Sequence, residues 1–121
     1  MTKKRLLLVE DDELLASLLN FRLTKGGYDV RISRDGREVK EELAKEIPDI
    51  IVSDIMMPYF SGMEMIAFVR NDLQSSVPII IISSAGNEEN VLNAFEIGAN
   101  DFIPKPVSPS ELLIRVARLL K

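Results

Sequence analysis

Three acids, a lysine and a serine carry the chemistry available to this chain. Glu10 and Asp11 follow the apolar run 6–9, Asp54 follows the run 50–53, and Lys105 follows the weaker run 101–104. Ser84, after the β-branched run 79–83, adds a hydroxyl. Three carboxylates brought close together repel, so the set is stable only when something neutralises it. Oxygen ligands without imidazole or thiolate select a hard cation, Mg²⁺ first and Mn²⁺ as the alternative. Lys105 adds positive charge from the opposite side, and Ser84 offers a donor to an incoming oxyanion. Such a set suits phosphoryl transfer, where catalysis is mostly positioning and charge neutralisation. Carboxylates form aspartyl-phosphates. Asp54 is the best acceptor because it stands alone on its strand, which leaves Glu10 and Asp11 for the metal.

What must position these groups is a set of strands that all end at one place. The apolar runs predict strands over about 5–9, 28–33, 50–53, 79–83 and 101–103. Helical periodicity fills the intervals. Leu14, Leu15, Leu18, Leu19 and Leu23 recur before a stop at Gly26-Gly27, and Val39 and Leu43 share a face after Asp35-Gly36. Ser61 is a candidate cap for a helix over about 63–73, and a further helix over about 88–97 closes at Gly98. Ser108-Pro109-Ser110-Glu111 spells a capping box before the last helix, with its Leu112, Leu113, Val116, Leu119 and Leu120. A βα unit repeated five times calls for right-handed crossovers and an α/β fold: a doubly wound, five-stranded parallel sheet with helices on both faces. Ligands of such sheets bind outside the carboxyl ends of the strands, where all five residues gather.

Composition narrows the function further. A length of 121 residues predicts one domain, 1–121, and 46% hydrophobic with 28% charged residues exclude a disordered chain. The absence of cysteine fits a reducing compartment, and the absence of histidine removes imidazole catalysis and any internal phosphohistidine. A net charge of −4 argues against nucleic-acid binding. Lys3-Lys4-Arg5 precedes an apolar run too short for a signal peptide, and no run approaches the roughly 20 apolar residues a membrane span needs. A cytoplasmic location is expected.

Taken in order, Val9-Glu10-Asp11-Asp12, Asp54-Ile55-Met56-Met57-Pro58 with Gly62, Ser83-Ser84-Ala85 and Lys105-Pro106 resemble the motifs of two-component response regulator receiver domains, over essentially the whole chain. The resemblance implies a flavodoxin-like strand order, 2-1-3-4-5. It implies that Asp54 accepts phosphate from a sensor histidine kinase or a histidine phosphotransfer protein, and that Glu10, Asp11, Asp54 and the Met56 main-chain carbonyl hold Mg²⁺. It implies that Ser84 and Lys105 bind the phosphoryl group, that Phe102 stands at an aromatic switch position, and that the Lys105–Pro106 peptide is cis. Output, or a homodimer, would run through the fourth helix, fifth strand and fifth helix. There Glu96, Asp101, Arg115 and Arg118 offer charge, but Asn100 replaces a frequent acid.

Blander readings stand beside these. Glu10-Asp11-Asp12 also suits a helix cap with first-turn acids, and both roles fit if Asp12 caps. Phe102 lacks the hydroxyl of the more usual tyrosine, so it is either a switch working by ring burial or plain core. Tyr59-Phe60 either faces a kinase or packs locally, with local packing favoured. Met56 and Gly86 flank the place of a hydrolytic water and cannot orient it, which predicts slow self-hydrolysis. A haloacid-dehalogenase-like phosphatase is disfavoured because Met56 stands where its second aspartate belongs. A phosphorylation-independent interaction module is the alternative, and the retained acids, Ser84 and Lys105 argue against it.

Overall fold

β1 (Arg5–Val9), β3 (Ile50–Asp54) and β4 (Ile79–Ser83) are buried along nearly their full length, which is why they read as unbroken apolar runs. The computed structural model describes residues 3–56, 60–84 and 88–121. With β2 (Asp29–Ser33) and β5 (Asp101–Pro104) the strands form one parallel sheet in the order β2-β1-β3-β4-β5. Parallel neighbours require crossovers. These are α1 (Glu13–Lys25), α2 (Gly36–Lys45), α3 (Gly62–Ala67) and α4 (Glu88–Ile97), while α5 (Pro109–Leu119) follows β5.

Side chains alternate across each strand, so the sheet feeds two cores. Leu7, Val9, Ile51, Ile79 and Ile81 pack with Val39, Leu43, Met65 and Ile66 of α2 and α3. Leu6, Leu8, Ile50, Val52, Ile80 and Ile82 pack with Leu19, Leu23, Leu112 and Val116 of α1 and α5. The leucine pattern of α1 is only half used for this. Leu19 and Leu23 are buried, whereas Leu14 and Leu18 are exposed.

Local chemistry sets the helix ends. Asp12 caps α1 through the N–H groups of Leu14 and Leu15, and Asp35 caps α2 through those of Arg37 and Glu38. Gly27 takes a φ of +102° and Gly98 one of +127°, the left-handed region that glycine enters cheaply. The expected capping box at Ser108 is half formed. The Ser108 hydroxyl accepts from Glu111 N, but the Glu111 carboxylate pairs with Arg115 instead. The complete box lies at Ser61 and Glu64, at the start of α3.

The helix expected over 63–73 departs from regularity halfway. After Ala67 the chain widens into a π-helical segment, Phe68–Asp72, with Leu73 N donating to Phe68 O at 3.0 Å. This segment carries Arg70 across the amino-terminal edge of the sheet. Its guanidinium donates to the carbonyls of Gly98 (2.8 and 3.1 Å), Ser75 (2.8 Å) and Val77 (2.7 Å), and to Asn100 Oδ1 (2.9 Å). Asn100 Oδ1 also accepts from Ile79 N at 2.9 Å. One side chain thus ties the end of α4 to the starts of β4 and β5. Arg70→Ala is expected to cost about 3 kcal/mol, because these acceptors lose a charged donor. Arg70→Lys would recover less than half of it, since an ammonium lacks the guanidinium fork. Urea unfolding of the two variants measures both values.

Candidate functional site

At the carboxyl edge of the sheet the chain leaves the core and meets its acids. β3 pairs with β4 up to Asp54, one residue further than its apolar run, and Ile55 N continues to Ile82 O at 3.0 Å. Asp54 is therefore held by the sheet on one side and open to the edge on the other. The Ser53 hydroxyl donates to the Asp54 carbonyl at 2.9 Å. Gly62 N closes the following loop on Ile55 O at 2.7 Å. A Cβ on Gly62 would stand 2.7 Å from Ile55 Cα and 2.9 Å from Asp54 O, so only glycine permits this closure.

The side chains converge from three strands. Lys105 Nζ donates to Asp54 Oδ2 at 3.0 Å and lies 3.3 Å from Glu10 Oε1. Met56 N donates to Asp54 Oδ1 at 3.2 Å, and Asp12 N to Glu10 Oε2 at 3.1 Å. Glu10 and Asp54 are buried and Asp11 is exposed, and each offers an oxygen within 4.8 Å of the others. Lys105 N is anchored on Ser83 O at 2.7 Å, and the peptide from Lys105 to Pro106 is cis.

The three carboxylates of the cluster outnumber the one ammonium beside them. Burial holds the Glu10 carboxyl above the ordinary carboxylate range, and the nearby Asp54 charge pushes it further. The Asp12 N–H and Lys105 oppose that shift without cancelling it. For Lys105, burial acts downward, yet the hydrogen bond to Asp54 and the attraction of Asp54 and Glu10 prevail and its pKa stands above the ordinary lysine value. Glu10 Oε1 is buried and accepts no hydrogen bond. It is near Lys105 but off hydrogen-bonding geometry. A buried carboxylate oxygen held only by an ion pair, beside two further carboxylates, fits a divalent cation with oxygen ligands.

The other expected site residues are placed less tightly. Ser84 lies just past β4, exposed, and lines a groove with Asp12, Leu15 and Lys105. The side chain of Met56 is 72% exposed, so only its backbone faces inward. Phe102 is half-buried against the core shared with α2 and α3. Asp12 both caps α1 and steadies Glu10. Phe60 is buried against Phe68 and the start of α2, an internal packing role, whereas Tyr59, Met57, Pro58, Ala85 and Gly86 lie outside the described residues. The contact between Phe60 and Gly36 had no signal in sequence, because it joins residues far apart along the chain.

Comparison with known proteins gives one family. The model of the response regulator receiver domain matches residues 6–117. The alkaline phosphatase synthesis transcriptional regulatory protein PhoP of Bacillus subtilis is 35% identical over 118 residues, 98% of this chain and 49% of that protein. The chain spans about half the length of the curated relatives it matches. Among solved structures, the receiver domain of the Francisella response regulator 1452 superposes with a TM-score of 0.91 at 31% identity, covering 97% of this chain and 96% of that one. The chemotaxis response regulator CheY4 of Vibrio cholerae gives a TM-score of 0.91 at 30% identity, covering 98% and 100%.

Proposed function

The chain belongs to the response regulator receiver family of two-component systems, and on that premise we propose that it is a single receiver domain, 1–121, phosphorylated on Asp54. The observation that carries this reading is the Asp54 carboxylate, bonded to Lys105 at the sheet edge with Glu10 and Asp11 beside it. An Asp54 oxygen attacks the phosphorus of a phosphohistidine on a sensor kinase or phosphotransfer protein. The P–N bond breaks, the imidazole departs, and the phosphoryl group stays on Asp54 as an acyl phosphate. The histidine lies outside these 121 residues, which contain none.

Glu10, Asp11, Asp54 and the Met56 carbonyl would hold Mg²⁺ or Mn²⁺, which supplies neutralisation of phosphoryl oxygens in the transition state. Lys105 then exchanges part of its attraction to Asp54 for a phosphoryl oxygen, and Ser84 donates to another. Phe102, half-buried beside Lys105 in sequence, follows that rearrangement by ring burial. The domain catalyses only its own phosphorylation and hydrolysis, works in the cytoplasm, and passes its state to a partner or output domain through α4, β5 and α5. On that face Arg115 is already paired within the chain, with Asp101 at 2.6 Å and Glu111 at 2.8 Å, and Asn100 is turned to Arg70. A dimer built on those charges would first have to break these pairs.

Beryllofluoride with Mg²⁺ tests the reading. Amide resonances around Asp54, Ser84 and Lys105 should shift in wild type and stay unmoved in Asp54→Asn. A wild-type spectrum indifferent to the mimic would favour a phosphorylation-independent module. The phosphorylated form should also be long-lived, because the exposed Met56 side chain cannot orient an attacking water. A dephosphorylation time course with Mg²⁺ should run well beyond seconds, and loss within seconds would contradict it.

A further inference from the structure

Resting on that reading of the site, we propose that Phe60 is a positioning residue: packed on the first turn of α2, it holds, through Gly62 and Ile55, the peptide that leads into the metal-binding Met56. No residue of α2 belongs to the acid cluster, so the connection is not apparent from the site alone.

The loop leaves β3 after Asp54 and returns at Ser61. Its first end is held by Ile55 N on Ile82 O and by Met56 N on Asp54 Oδ1. Its second end is held by Gly62 N on Ile55 O. Just before that closure Phe60 turns inward and is only 8% exposed. Its ring meets Phe68 edge-on, with centroids 6.1 Å apart and an interplanar angle of 79°. The Lys40 ammonium lies 4.7 Å from the Phe60 centroid and 5.5 Å from that of Phe68.

The closest contact is with Gly36, the first residue of α2. A Cβ there would fall 2.0 Å from Phe60 Cβ and 2.8 Å from its Cγ. Those atoms are near the backbone and cannot swing aside, so Phe60 sits where it does only because position 36 is glycine. The surface it rests on is rigid, because the Asp35 carboxylate accepts from Arg37 N and Glu38 N and fixes the turn. α2 thus sets where Phe60 and the neighbouring Gly62 stand, and Gly62 N on Ile55 O at 2.7 Å carries that position to the peptide leading into Met56. Mg²⁺ demands nearly ideal octahedral geometry, so a small displacement of one oxygen ligand weakens it.

A residue that merely fills the core would affect stability and leave the cation alone. Leu43, two turns along α2 in the same core, supplies that control. Isothermal titration and the Ile55 and Met56 amide shifts report Mg²⁺ binding to the unphosphorylated protein, with thermal unfolding in parallel. Phe60→Ala and Gly36→Ala should each raise the Mg²⁺ Kd about tenfold, the size of effect that supporting residues have at metal sites. Leu43→Ala should lower Tm and leave the Kd within about twofold. Phe60→Leu, which refills the space, should bring the Kd back to within about threefold of wild type, and keeps the test open if Gly36→Ala does not fold. Wild-type Mg²⁺ affinity in Phe60→Ala, or an equal loss in Leu43→Ala, would overturn the inference and leave the site reading intact. Failure of wild type itself to bind Mg²⁺ would overturn the site reading and the inference with it.

Discussion

Asp54→Asn should abolish phosphoryl uptake from acetyl phosphate, with a fall of roughly a thousandfold or more, while the fold is retained. An amide matches the carboxylate in shape, and its oxygen can still accept from Met56 N. The carboxylate oxygen that would form the new P–O bond is gone, and the two other acids of the cluster are placed differently. Glu10 lies against Lys105 from β1, and Asp11 is exposed on the way to α1. Neither can take over the in-line position without moving the sheet. Intact-mass spectrometry after incubation with acetyl phosphate and Mg²⁺ reads the result directly. A single phosphoryl adduct surviving in Asp54→Asn would place the acceptor elsewhere.

Glu10→Gln should make the metal-free protein more stable at neutral pH and should remove its response to Mg²⁺. In the fold the Glu10 pKa is raised above its ordinary 4.5, chiefly by burial and then by the Asp54 charge. A raised carboxyl binds its proton more tightly in the folded than in the unfolded state. Its contribution to stability is therefore complete below the ordinary pKa and is lost as pH rises through the folded value. Above that window the metal-free fold carries an ionised, crowded carboxylate. Glutamine stays neutral, can still accept from Asp12 N, and leaves Lys105 its bond to Asp54. The expected gain in EDTA at neutral pH is about 1 kcal/mol, shrinking as the pH falls into the ordinary carboxylate range. Mg²⁺ should reverse the ranking, because an ion held by Glu10, Asp11 and Asp54 as proposed would stabilise the folded wild type by mass action. Thermal unfolding against pH, with EDTA and with Mg²⁺, measures both halves. A variant less stable than wild type in EDTA at neutral pH would show that the Lys105 attraction outweighs the burial.

The acids, Ser84 and Lys105 were legible in the sequence because each stands directly after a run of β-formers, and a parallel sheet gathers such positions at one edge. The strand boundaries were legible for the same reason, to within a residue. The break at Phe68 was not, since FVRND has no proline or glycine to signal a π-helical segment. What accompanies it is a tertiary contact: the guanidinium of Arg70 reaches Gly98, twenty-eight residues on. Leu14 and Leu18 misled in the opposite way. They share the spacing of a buried stripe, but α1 needs only Ala16, Leu19 and Leu23 to cover its part of the sheet. The packing of Phe60 on Gly36 was invisible because it joins positions on two different connections.

The two outer strands have a consequence for solubility. A parallel sheet in this order leaves β2 and β5 each with one side unpaired, and an unpaired strand edge is a template for aggregation. β2 carries exposed Asp29 and Arg31, opposite charges that neighbouring chains would have to desolvate to add a strand. β5 is four residues long and ends in Pro104, which has no N–H to donate. Both rims are thus defended by different means. That protection works against strand-to-strand aggregation in a domain with three strands rich in isoleucine, leucine and valine, and it leaves helix faces and loops as the places where another protein can take hold.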